Sequence, residues 1–182
     1  MNDITNATKR TTPLVDADQE ARLLKAIDSR SFAVLSTVSP AGFPHAAGVQ
    51  YVLVDGDGDG DGGPVLFSHT MRSSRKARNV AADDRVGVVI PVRKLPVGPP
   101  FTVQFQGRAE VLDMDDPEIV ALLDAGRLKA IASHGELDEP DGCYLRITPN
   151  ATVHSYGIGV SMLGVARDPL HVGARSTQLG VA

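Results

Sequence analysis

From Ser31 onward the period of this chain changes to short apolar runs bounded by turns, a pattern that fits a succession of strands. The clearest run is FTVQFQGRAEVLDM, which places Thr102, Gln104 and Gln106 on one face and Val103 and Phe105 on the other. SFAVLSTV, HAAGVQYVLV, PVLFSH and RVGVVIPV read as further strands, with SPAGFP turning the first into the second as a hairpin. CYLRITPN and ATVHSYGI supply a last pair, separated by a Pro-Asn turn. The expected fold is an all-β core of about six antiparallel strands closed into a small barrel, with two or three helices added. Strands and helices do not alternate regularly and no GxGxxG is present, which excludes a doubly wound nucleotide-binding sheet.

Ahead of the strands the period lengthens. Asp16 with Gln19 resembles a capping box, and Ala21, Leu23, Leu24, Ile27 and then Phe32 fit the apolar face of a helix of about three turns, suited to cover a barrel end. Residues 1–15 are polar and rich in Thr and Asn, and read as a flexible arm. The body is therefore expected over 16–156, with 157–182 as an extension packed on the barrel or on a dimer partner. Asp116 to Lys129 reads as one helix or two short ones. The loop DGDGDGDGGP (55–64) has aspartates at alternate positions, but EF-hand spacing from Asp55 requires a Glu where Leu66 stands, so it reads as an exposed hairpin loop.

A length of 182 residues suits one domain. The net charge of -4 and 4 % aromatic content offer neither an electrostatic footprint nor a stacking platform for nucleic acid. Cys143 is the only cysteine, which excludes an intrachain disulfide framework and fits a reducing compartment. The start of the chain has no apolar signal core and no run is long enough to span a bilayer, so a cytoplasmic location away from membranes is expected. His45, His69, His134, His154 and His171 show no HxH or HExxH spacing, so no metal is assigned. There is no Gly-x-Ser-x-Gly elbow for a serine hydrolase.

Against this acidic background the segment FSHTMRSSRKARNV stands out, because it places hydroxyls and four cations where a strand hands over to a helix. Arg72, Arg75, Lys76 and Arg78 can make charge-assisted hydrogen bonds to a phosphate, with Thr70, Ser73 and Ser74 adding hydroxyls or capping the helix. Gly48 within a strand permits either a bulge or the close approach of a ligand. Gln50 carries a polar amide that a bound cofactor would partner. His69 precedes Thr70, and His154 with Tyr156 stands where a side chain can reach a substrate or a dimer cleft.

In order and motif, FAVLSTVSPAGFPHAAGVQYVLV, FSHTMRSSRKARNVAADDRVGVVI and FTVQFQGRAEVLD resemble the pyridoxamine 5'-phosphate oxidase-like split-barrel family of flavin and deazaflavin proteins, over roughly 21 to 155. The resemblance implies that Ala47, Gly48, Val49 and Gln50 lie against the cofactor, and that Thr70, Ser74, Arg75, Lys76 and Asn79 hold its phosphate. It implies FMN or the deazaflavin F420 as cofactor and a homodimer with two sites between subunits, the strand Thr102–Gln106 completing the neighbour's site. Arg93 and Lys94 are placed to meet the acidic tail of F420. Ala47 or Gly48 stands where an oxidase of pyridoxamine phosphate carries arginine, and GARSTQLGVA lacks that enzyme's aromatic- and arginine-containing ending, which argues against that activity. The implied function is hydride transfer between FMN or F420 and a small planar unsaturated or tetrapyrrole- or quinone-like substrate, with no catalytic side chain named. The alternative is a non-catalytic flavin- or haem-binding protein, in which His154 or His171 is an axial ligand.

Overall fold

The computed structural model describes residues 16–54, 63–92, 101–132, 139–168 and 173–179. The acidic loop at 55–61, Arg93, Lys94, His134 and His171 lie outside the described residues.

Helix α1 (Ala17–Asp28) begins where the capping residues place it, with the Asp16 carboxylate accepting the Gln19 amide. Leu23 and Ile27 are buried on its inner face, and it packs across the ends of several strands. Strands β1 (Phe32–Val38) and β2 (Pro44–Gln50) form the expected hairpin. β3 (Val52–Val54) and β4 (Val65–Met71) form a second one, and α2 (Arg75–Ala82) leads into β5 (Arg85–Val92). β6 (Phe101–Asp113), α3 (Pro117–Asp124), a 3-10 turn (Lys129–Ile131), β7 (Gly142–Tyr156), α4 (Met162–Arg167) and β8 (Ala174–Gln178) complete the order.

All strand pairings are antiparallel, in the order β2-β1-β5-β6-β7-β4-β3, with β8 added beside β7. The two ends of that order, β2 and β3, are consecutive in the chain and separated only by Tyr51, so the sheet curls round to meet itself. The expected run HAAGVQYVLV is thus two strands with a corner. Tyr51 makes the corner by donating its amide to Ser31 O at 3.0 Å and its hydroxyl to Ile27 O at 2.6 Å.

Among the described residues eight strands replace the expected six or so. The Pro-Asn turn is absent, because β7 runs unbroken through Pro149 and Asn150. Opposite Gln106 the pairing jumps from Phe105↔Val153 to Gly107↔Pro149, so β7 carries two extra residues there. An even insertion bends the strand while keeping its inward and outward positions in phase. Past the bulge β7 leaves β4, and β8 covers the edge thus opened at Thr152–Tyr156.

The main core fills the barrel, with Leu35, Ile90, Val103, Leu145 and Val153 buried and Leu23 and Ile27 closing one end. A second cluster lies outside β4 and β7, where Phe67 and Tyr144 meet Ile119 of α3 and Leu128 and Ile131 of the following turn. β4 is therefore covered on both faces, which is why PVLFSH does not alternate. No described helix is long and apolar enough to cross a membrane.

Candidate cofactor-binding site

The basic segment folds as a strand-to-helix junction. Ser74 is the N-cap of α2, its hydroxyl accepting the Ala77 amide, and the same hydroxyl lies 3.2 Å from Thr70 Oγ1 at the end of β4. Thr70 and Ser74 are thus one hydroxyl pair at a helix N-terminus, where free amides favour an anion. Arg75 is exposed and Lys76 half-buried in the first turn. These four residues are brought together.

Two neighbouring donors are already engaged. Arg72 pairs with Asp113 of β6, and the Ser73 amide donates to Asp141 at 3.0 Å. Hydrogen bonds from the Ser73 hydroxyl and amide hold the Asp141 carboxyl below the usual carboxylate range. A carboxylate of the chain itself therefore takes one amide of this junction.

Asn79 lies one turn further into α2 and is turned inward. Its side-chain nitrogen donates to the Thr37 hydroxyl of β1 at 2.9 Å, and the residue is 3 % exposed. His69 and Thr70 point to opposite sides of β4; the His69 ring meets Tyr144 edge-on, centroids 5.2 Å apart. Burial pushes the Cys143 thiol up, and it stays inside the barrel.

Strand β2 cannot present four successive side chains to one ligand. Val49 is buried inward, opposite Ala33, and Ala47 faces inward too, opposite Leu35; Gly48 and Gln50 are outward and exposed. No bulge occurs at Gly48, since pairing with β1 runs unbroken from Phe32↔Gln50 to Val38↔Pro44. The close approach is instead that of the Phe32 ring, 2.9 Å from where a Cβ on Gly48 would stand.

Gly48 opens a row across the outward face. It pairs with Val34, which pairs with Val89, then Gln104, then His154, then Ser176. His154 Nδ1 lies 2.9 Å from Ser176 Oγ, which fixes the ring on that face. The implied cofactor strand at 47–50 and the implied completing strand Thr102–Gln106 thus share one surface, with His154 between Gln104 and Ser176. A groove of 540 Å³ on this side is lined by residues including Ser36, Gly87, Gln106, Arg85 and Arg108, and by none of the nine implied cofactor residues. Both of its arginines are paired, Arg85 with Asp83 and Arg108 with Asp84.

Thr37, Asp113 and Asp141 were not singled out by sequence reasoning. Thr37 had a signal, a hydroxyl at an inward position of an alternating strand. The two aspartates had none, since each reaches the junction from about 40 and 70 residues away.

A split barrel of curled antiparallel strands, carrying a hydroxyl- and cation-bearing helix N-terminus after β4, defines a cofactor-binding class of protein. Residues 19–156 match the pyridoxamine 5'-phosphate oxidase family, and the chain belongs to it. No curated protein matches the chain. Among solved structures it is similar to a haem-binding protein from Mycobacterium smegmatis, with 25 % identity, TM-score 0.61, and 92 % of this chain and 59 % of that one covered. It is also similar to HutZ, the haem storage protein from Vibrio cholerae, at 16 % identity and TM-score 0.57, covering 81 % of this chain and 98 % of that one. An FAD-binding protein from Mesorhizobium loti matches at 19 % identity and TM-score 0.56, covering 74 % and 91 %.

Proposed function

We propose that this protein is an FMN- or F420-dependent oxidoreductase acting as a homodimer in the cytoplasm, on a small planar unsaturated or tetrapyrrole- or quinone-like substrate. The observation that carries this reading is the Thr70–Ser74 hydroxyl pair at the start of α2, with Arg75 and Lys76 in the turn that follows. A bound flavin or deazaflavin would supply the hydride chemistry. The chain supplies binding and orientation. Thr70 and Ser74 offer short hydroxyl contacts to a phosphate, and Arg75 and Lys76 balance its charge. Asn79 acts behind them, fixing α2 on β1 through Thr37. Gln50 presents an amide on the outward face, beside Gly48 and the Phe32 ring that covers it, and a fixed donor of this kind can stabilise charge on a reduced ring.

The test is a titration of the cofactor-free protein with FMN and with F420, read by absorption and fluorescence. Tight binding of one of them is expected. Arg75→Ala with Lys76→Ala should then weaken it by about 3 kcal/mol, the scale of two charge-assisted hydrogen bonds. Failure of both cofactors, or an unchanged affinity in the double variant, overturns the assignment.

One observation favours a haem-binding reading instead. His154 is exposed on the outward row with Nδ1 already held by Ser176, which leaves Nε2 as the ligating nitrogen. Haem binding with a Soret band that shifts in His154→Ala would establish it, and an unshifted band would remove His154 from consideration.

A further inference from the structure

A second pocket, of 330 Å³, lies between the C-terminal half of α1, the end of β5 and the turn at Ile158 and Gly159. Its floor is the main core itself: Val92 and Ile158 are each 3 % exposed, and Ala26 is half-buried beside them. Its rim carries Arg22, Lys25 and Arg30, and no carboxylate lines it among the described residues. Arg22 and Lys25 stand one helical turn apart on the same face of α1. Neither is paired with a carboxylate among the described residues.

The walls are fixed. The buried Gln19 amide donates to Ile158 O at 3.4 Å, which sets the distance between helix and turn. Gly159 has φ +74, and a Cβ there would stand 2.7 Å from Gln19 Oε1 and 3.6 Å from Arg22 Nη1. Glycine therefore lets the turn come under the Arg22 guanidinium. A cation near the end of α1 complements the helix dipole, which accounts for Lys25. It does not account for Arg22 in the middle of the helix.

Three cations above an apolar floor match a ligand with one anionic head and a short apolar body. We infer that this pocket is a second binding site, for a small amphiphilic carboxylate. Its tail lies on Ala26, Val92 and Ile158, and Arg22, Lys25 and Arg30 hold its head. An inorganic anion would use only the rim and a neutral alcohol only the floor. The pocket shares no lining residue with the β4–α2 junction or the 540 Å³ groove, so it stands independently of the cofactor assignment.

The test is calorimetric titration of the full chain with octanoate, 1-octanol and sulfate. Octanoate is expected to bind saturably with one site per chain, at least about tenfold more tightly than either control, because only it makes both the charged and the apolar contacts. Arg22→Gln with Lys25→Gln should weaken octanoate by about tenfold or more. Ala26→Leu, which fills the floor and keeps every cation, should weaken it as well. FMN or F420 titrations should be unaffected by either variant. Octanoate binding no tighter than the controls overturns the inference, as does binding unchanged in both variants.

Discussion

Asn79 of α2 donates its side-chain amide to the Thr37 hydroxyl of β1 at 2.9 Å, both residues being sealed inside the barrel. Removing one member leaves the other buried without that bond, a loss of about 1–3 kcal/mol. Asn79→Ala is therefore expected to lower the unfolding free energy by that amount in urea denaturation. Thr37→Val on top of it should cost less than it does alone, since the shared bond is already gone. Strictly additive losses would show that the two side chains are not coupled.

Tyr51 gives the fold a pH dependence on the alkaline side. Burial first, then the charge of Asp28, raises its phenol well above the ordinary tyrosine range, with Arg30 opposing. The folded chain keeps this proton after the unfolded chain has begun to lose its own. The contribution is thus whole below about pH 10 and falls as pH rises beyond it. Tyr51→Phe should cost about 1 kcal/mol at neutral pH through loss of the bond to Ile27 O, and should flatten the alkaline fall. An alkaline slope equal to that of the parent protein would assign the effect elsewhere.

How far the sequence could be read depended on whether a feature was local. The Asp16 cap follows from residues within one turn, and the structure has it where the pattern placed it; of the three hydroxyls that could cap α2, Thr70, Ser73 and Ser74, it is Ser74 that does so. The inward and outward alternation of β6 is equally local. Tyr51 was hidden because apolar residues continue on both sides of it, and only the contacts to Ser31 and Ile27 make it a corner. Pro149 and Asn150 carry a turn signature, yet pairing on both sides of them holds the chain extended and turns the surplus into a bulge. At the candidate site, the hydroxyl pair and its cations were legible as a cluster. That Arg72 is held by Asp113 required the long-range pairing of β4, β6 and β7, and that Asn79 turns inward required the packing of α2 on β1.

Gly107 sits at the bulge and has no room for a side chain. A Cβ there would overlap the Thr148 carbonyl, a backbone atom that cannot move without disturbing the β6–β7 pairing. Gly107→Ala is expected to destabilise by about 1–3 kcal/mol, the range for overpacking a close-fitted position. Gly48→Ala meets only the Phe32 ring, which is 49 % exposed and free to swing, so it should cost less than about 1 kcal/mol. Thermal unfolding of the two variants side by side measures the contrast, and equal losses would contradict it.

Phe32 tests the proposed homodimer. Its ring lies over Gly48 on the outward face, 49 % exposed in one chain, and Phe43 on the β1–β2 turn is 72 % exposed. A half-exposed aromatic ring on the outward face is an expected anchor for a second copy, since interface cores favour aromatic residues, and Phe43 extends that apolar surface at the other end of the hairpin. Phe32→Asp puts a charge at the centre of that contact. Within a single chain the ring makes little use of burial, so the variant should keep its fold and its unfolding midpoint at high dilution. In a dimer the buried, unpaired carboxylate costs several kcal/mol per copy. Sedimentation should therefore show the parent protein as a dimer and Phe32→Asp as a monomer with the same circular dichroism. If the parent sediments as a monomer, or the variant remains a dimer, the outward face of β1 and β2 is not where two copies meet.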